Sequence, residues 1–202
     1  MTKPTVYMIA GPNGAGKTTA AMALLPDFLS IHEFVNADEI ARGLNPLDPY
    51  GQPVAAGRVM LERIDELISE GKSFAFETTG ASRVFAERLQ KARDAGYRLG
   101  IIYLWLPNVE TAKQRVALRV AQGGHNVPER DVERRFGRSL QNLIRLYLPL
   151  MDQVDLFDCR ALEDSSRRVI AEKHGKKLQV YNSAIWRDIE RIAAEGVDEE
   201  PR

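Results

Sequence analysis

The chain has 202 residues, with 28 Lys and Arg against 28 Asp and Glu, so its formal net charge at pH 7 is zero. Apolar residues at 44% and charged residues at 28% are ordinary globular values and exclude wholesale disorder. A neutral chain has no whole-surface field to hold nucleic acid or an acidic membrane, so any anion must be held by a local pocket.

Apolar runs of strand length alternate with segments of helical period. Residues 7–10 predict a buried strand, followed by a Gly-rich turn and a helix over about 17–28. A short strand follows at 34–36, then a helix over 54–70 ended by Gly71. Residues 74–76 predict a third strand, 84–95 a helix stopped by Gly96, and 99–106 a fourth strand closed by Pro107. A helix over 109–121 runs into Gly123 and Gly124. Pro128 suits a first helical position, with Glu129 and Asp131 in the first turn and Val132, Phe136, Leu140 and Leu143 on the apolar face. Residues 154–157 predict a fifth strand, 168–181 a hairpin turning at 174–176, and 183–194 a last helix. Such alternation predicts an α/β fold: a parallel five-stranded sheet covered by helices on both faces, with ligands at the strands' carboxyl ends. One domain over 1–195 is expected, followed by a frayed acidic tail over 196–202.

Cys159 is the only cysteine, which excludes an internal disulfide and a Cys-based zinc site. His32, His125 and His174 form no metal-binding pair. The longest strongly apolar run, 101–106, is far short of the ~20 residues that cross a bilayer. No signal sequence is evident, so the cytoplasm is expected. Neither nucleic acid nor membrane is expected as a partner.

Gly11-Pro12-Asn13-Gly14-Ala15-Gly16-Lys17-Thr18 satisfies GxxxxGK[ST], with a strand before it and a helix after it. Glycines let main-chain N–H groups turn toward phosphate oxygens where a side chain would clash, and the helix N-terminus adds its positive end. Lys17 is placed to reach the β- and γ-phosphates of ATP, and Thr18 to help hold Mg²⁺. A GTPase is disfavoured because no NKxD element exists, and no LSGGQ-like signature marks a transport ATPase. The SxxK match at 69–72 straddles a helix end and is chance.

Two carboxylates fall at strand ends beside this loop: Asp38 after the second strand and Glu77 at the end of the third. Each can take an acceptor hydroxyl's proton, hold a substrate hydroxyl, or reach Mg²⁺ through water. Asp38 also reads as a helix N-cap. Between Thr111 and Tyr147 eight Lys and Arg face only Glu129, Asp131 and Glu133. Arg115 and Arg119 share a helix face, as do Arg134 and Arg138. With the Gly-Gly loop as a hinge, the segment over about 110–147 reads as an Arg-rich lid closing on phosphates, against the alternative of a solvated charged helix face. Trp105, Trp186 and Tyr147 read as core.

The run Ala10 to Thr19, the element Asn36-Ala37-Asp38-Glu39-Ile40, Phe76-Glu77-Thr78-Thr79, and 123–128 followed by Arg134-Arg135-Phe136 and Arg138-Ser139-Leu140 together resemble the zeta-toxin family. The resemblance implies a P-loop NTPase core like that of nucleoside-monophosphate kinases, and ATP-dependent phosphorylation of the sugar 3′-hydroxyl of UDP-N-acetylglucosamine. It implies that residues 11–19 bind the nucleotide phosphates, with Mg²⁺ at Thr18. Asp38 matches the general base, Glu77 and Thr79 the substrate contacts, and Arg119 with Arg134 or Arg135 the lid arginines on ATP. It also brings in a separate antitoxin protein as a candidate partner. The nearest arginine after Thr79 is Arg83, later than the family's substrate-side basic residue. Other readings are a kinase of the same fold acting on another small hydroxyl acceptor, such as an antibiotic or nucleotide, or a nucleotide-dependent binding module.

Overall fold

A computed structural model describes residues 3–26, 29–124, 126–160 and 168–195. In chain order the elements are β1 (Thr5–Ala10), α1 (Lys17–Leu24), β2 (Phe34–Val35), α2 (Ala37–Leu44), α3 (Pro53–Ser69), β3 (Phe74–Thr78), α4 (Val84–Asp94), β4 (Arg98–Trp105) and α5 (Val109–Ala121). They continue with α6 (Glu129–Asn142), a π-helical turn (Leu143–Tyr147), α7 (Leu148–Leu150), β5 (Gln153–Asp158), β6 (Arg168–His174), β7 (Lys177–Val180) and α8 (Ser183–Glu195).

The strands form one sheet in the order β2-β3-β1-β4-β5-β6-β7. The first five are parallel, with β1 and β4 unbroken buried runs and β5 burying alternate residues, and the C-terminal hairpin extends them antiparallel at one edge. Burial explains the pattern: β1 is buried from Val6 to Ala10, and β4 from Leu99 to Trp105. β7 is exposed along its length, an edge strand with two lysines near its turn.

The core lies on both sheet faces. Phe76 stacks on Phe85 of α4 at 5.1 Å between ring centres, and Tyr97 meets Phe74 edge-on at 6.3 Å. The Tyr97 hydroxyl donates to Leu67 O at 2.9 Å, so the ring is buried without orphaning its polar tip. Trp105 and Tyr147 are core, as their sequence context predicts, and Trp186 is packed partly buried against it.

Helix ends differ from expectation in instructive ways. α1 stops at Leu24, and its predicted end at residues 27–28 lies outside the described residues, as do 161–167 and the predicted tail. Pro128 is the cap residue rather than the first helical one, and α6 begins at Glu129. The N-cap of α2 is Asn36, not Asp38. Gly123 and Gly124 close the end of α5. Gly123 sits at φ +83° and the Gly124 N–H donates back to Arg119 O at 2.8 Å.

Candidate active site

Parallel register sets the site. Ala10, the last residue of β1, pairs with Thr78 on one side and Tyr103 on the other, so the 11–16 loop leaves the sheet between the carboxyl ends of β3 and β4. Gly11 is at φ +143° and Gly14 at φ +78°. A Cβ on Gly11 would stand 2.4 Å from Leu104 O, and one on Gly14 would stand 2.7 Å from Cβ of Arg115. The glycines are therefore required by dihedral and by space. α1 begins with no side-chain cap, which leaves its first N–H groups to a ligand.

Lys17 opens α1 and is buried, with 8% of its surface exposed. Burial pushes its pKa down, while the carboxylates of Glu77 and Asp38 raise it and the guanidinium groups of Arg119 and Arg135 lower it further. An ammonium has three donors. Among the described residues Lys17 makes one hydrogen bond, to Pro12 O at 3.0 Å. A buried cation with donors in excess of its protein partners fits a polyanionic ligand such as a triphosphate.

Glu77, next to last in β3, lies beside the loop. Its Oε2 accepts from Thr18 Oγ1 at 2.8 Å and from Asn36 Nδ2 at 2.8 Å. Asn36 is 6% exposed, and its Oδ1 accepts from the main-chain N–H groups of Asp38 at 2.8 Å and Glu39 at 3.3 Å. With the cap supplied by Asn36, the Asp38 side chain is exposed in the first turn of α2. Thr79 is half-buried, and its carbonyl accepts from Ser139 Oγ, whose oxygen in turn accepts from the buried Tyr103 hydroxyl at 2.7 Å. Asn142 Nδ2 donates to Gly80 O at 3.0 Å and the Tyr147 hydroxyl to Ser82 O at 2.6 Å. The segment after Glu77 is thus pinned to α6 and the turn that follows it.

The basic residues separate by role. Arg119 and Arg135 lie where their charge acts on Lys17. Arg134 is instead half-exposed and ion-paired to Asp131 of its own helix at 2.8 Å. Arg115, grouped with Arg119 by spacing, donates from Nη2 to Cys159 O at 2.7 Å and Arg160 O at 2.8 Å, and so ties α5 to the segment that follows β5. Lys113 pairs with Glu133 and joins α5 to α6. The inner faces of both helices, Ala112, Val116, Val132, Phe136 and Leu140, are core.

Sequence reasoning missed the work of Asn36, Arg115 and Ser139. An Asn before an acidic first turn is a capping signal that points to Asn36. Nothing in the spacing of Arg115 or Ser139 singles them out. Among the described residues no group of three or more His, Cys, Asp or Glu could hold a metal by itself. The Thr18 hydroxyl beside the Glu77 carboxylate is the oxygen pair that fits Mg²⁺, a hard cation that keeps waters and leans on substrate phosphates. Among the described residues no helix is long and apolar enough to cross a membrane.

The family described as AAA domain matches residues 6–141. An uncharacterized protein of Haemophilus influenzae is 29% identical over 126 residues, 62% of this chain and 88% of that protein. The crystal structure of AvrRxo1-ORF1:-ORF2 with ATP is similar at a TM-score of 0.71 and 17% identity. That match covers 99% of this chain, which spans 66% of its counterpart's length. The PezAT chromosomal toxin-antitoxin system of Streptococcus pneumoniae is similar at a TM-score of 0.58 and 12% identity, covering 98% of this chain and 89% of that one. At these identities the likeness is one of fold, the α/β P-loop kinase fold.

Proposed function

This chain belongs to the AAA-domain family, and on that footing we propose that it is a cytoplasmic ATP-dependent kinase of a small hydroxyl-bearing molecule. The observation that carries the reading is the buried ammonium of Lys17, with the carboxylates of Glu77 and Asp38 and the guanidinium groups of Arg119 and Arg135 around it. A carboxylate beside a phosphate site can orient the attacking oxygen of water or of an acceptor hydroxyl. The kinase reading takes the hydroxyl because the motifs around Asp38, Glu77 and Thr79 resemble those of a kinase family.

In the proposed reaction the acceptor oxygen bonds to the γ-phosphorus of ATP, the bond from that phosphorus to the β–γ bridging oxygen breaks, and ADP leaves. The hydroxyl's proton passes to the Asp38 carboxylate. Residues 11–16 and Thr19 hold the phosphates through the main chain and the first turn of α1. Lys17, Arg119 and Arg135 face the charge that spreads over the transferred group. Magnesium, when bound beside Thr18 and Glu77, neutralises charge on the phosphates. Glu77 and Thr79 line the acceptor side. The segment over about 110–147, read as a lid, brings the two arginines over the phosphates.

The acceptor we propose is a UDP-N-acetyl-hexosamine such as UDP-N-acetylglucosamine, phosphorylated on the sugar 3′-hydroxyl. The zeta-toxin-like motifs support this acceptor; PezAT, itself a toxin-antitoxin system, is alike in fold. The same likeness supports an antitoxin protein as partner. Incubation with ATP, Mg²⁺ and UDP-N-acetylglucosamine should give ADP and a singly phosphorylated sugar nucleotide by mass spectrometry. A phosphorylated species from a metabolite extract, with none from the sugar nucleotide, would keep the kinase and replace the acceptor. ATP turnover at one rate whatever acceptor is present would replace the kinase with a nucleotide-dependent binding module.

A further inference from the structure

Asn36 makes bonds at both ends of its amide, and the two ends join groups with different tasks. Oδ1 caps α2 through the N–H groups of Asp38 and Glu39. Nδ2 donates to the same Glu77 oxygen that accepts from Thr18. The orientation of the amide is dictated by its partners, because a flip would set NH₂ against two N–H donors and an oxygen against a carboxylate. Capping by itself does not select this residue, since Asn, Asp and Ser cap about equally well. Only Asn caps with an oxygen while offering Glu77 a donor. An Asp would put a second carboxylate against the first, and a Ser would not reach.

We propose that Asn36 is a positioning residue that locks Glu77, and through it Thr18, to the helix carrying Asp38. The separation between the metal-side hydroxyl and the proposed base is then set by one buried amide. This rests on the kinase reading for the role of Asp38, but the coupling of Asn36 to Glu77 and Thr18 stands on geometry alone.

The test uses Asn36→Ser and Asn36→Asp, both of which keep a capping oxygen, beside Glu77→Ala and the double variant Asn36→Ser/Glu77→Ala. Asn36→Ser, which adds no charge, should melt near the parent, and Asn36→Asp lower, because its carboxylate is set against that of Glu77. Their kcat should fall about 10–100-fold, the usual effect of removing a group that orients a ligand-holding side chain, with KM for ATP within about threefold. The Mg²⁺ midpoint for binding a fluorescent ATP analogue should move to higher concentration. The double variant should be little worse than Glu77→Ala, because the two residues act as one unit. Parental kcat and Mg²⁺ midpoint in both capping variants, or fully additive losses in the double variant, would overturn the proposal. Loss of the kinase reading has a different signature: no phosphorylated acceptor from the parent, with the Mg²⁺ midpoint still shifted by Asn36→Ser. Should Asn36→Asp fail to fold, Asn36→Ser carries the same comparison.

Discussion

Thr18 Oγ1 donates to Glu77 Oε2 across 2.8 Å, which joins the residue after the P-loop lysine to the carboxyl end of the neighbouring strand. The bond exists because β1 and β3 are adjacent and parallel, with Ile9 opposite Glu77. One carboxylate oxygen thus serves two donors, Thr18 in the first turn of α1 and Asn36 at the cap of α2.

Replacing Glu77 with Ala strands both donors in a half-buried site, where an unmade hydrogen bond costs about 1–3 kcal/mol. Glu77→Ala should therefore lower unfolding free energy by about that amount in urea. It should also depress phosphoryl transfer more than nucleotide binding. Unchanged stability would mean that water replaces the carboxylate at no loss.

Lys17 yields a prediction with a defined sign. Its pKa is pushed down from an ordinary value near 10.5, chiefly by burial. Between the lowered native value and 10.5 the unfolded chain binds more protons than the native one, so this group makes stability rise with pH across that window. Lys17→Met removes the contribution and also the desolvated charge. The variant should lose nucleotide affinity while keeping its fold at pH 7, and its stability advantage over the parent should shrink as pH climbs toward 10.5. Urea titrations of both proteins at several pH values read the difference directly.

Much of this site is visible in the amino-acid order. The GxxxxGK[ST] run carries its own flanks, and Asp38 and Glu77 fall at strand ends because continuous apolar runs announce buried parallel strands. Asp38 reads as a cap of α2, but Asn and Asp cap equally well, and the cap is Asn36, which also bonds to Glu77. Arg115 and Arg119 share a spacing, yet spacing defines a common face and not what that face meets. One guanidinium met the carbonyls of Cys159 and Arg160, residues more than 40 positions away. The Gly-Gly pair was ambiguous for a similar reason: glycine serves a hinge and a left-handed helix end alike.

Arg134 and Arg135 are neighbours in sequence and about 100° apart on a helix. Arg135 is three residues after Val132 and four before Ser139, both buried, which places it beside the inward stripe. Arg134 faces outward to Asp131. Arg135→Gln should lower kcat on the order of 10²-fold, as the loss of one preorganised charge does at a phosphoryl-transfer site. Arg134→Gln should leave turnover close to the parent and change stability by less than about 1 kcal/mol, the worth of an exposed ion pair. Equal losses in the two variants would place both on the nucleotide.

Gly124 governs Arg119 through space alone. A Cβ there would stand 2.6 Å from Cγ of Arg119 and 2.9 Å from Arg119 O, closer than real contacts allow. Cγ is the root of the side chain, not its mobile tip, so the arginine would have to change rotamer or the end of α5 would have to unwind. Arg119 is one of the two guanidinium groups whose charge reaches Lys17, so either response moves it off the phosphate side. Gly124→Ala should therefore weaken nucleotide binding to a degree comparable with Arg119→Gln, although residue 124 itself touches no phosphate. Combining the two should add little, since the alanine acts only by displacing a side chain that the second change has shortened. Isothermal titration with a non-hydrolysable ATP analogue across the four proteins decides it. Wild-type affinity in Gly124→Ala would show that the helix end yields without carrying Arg119 along.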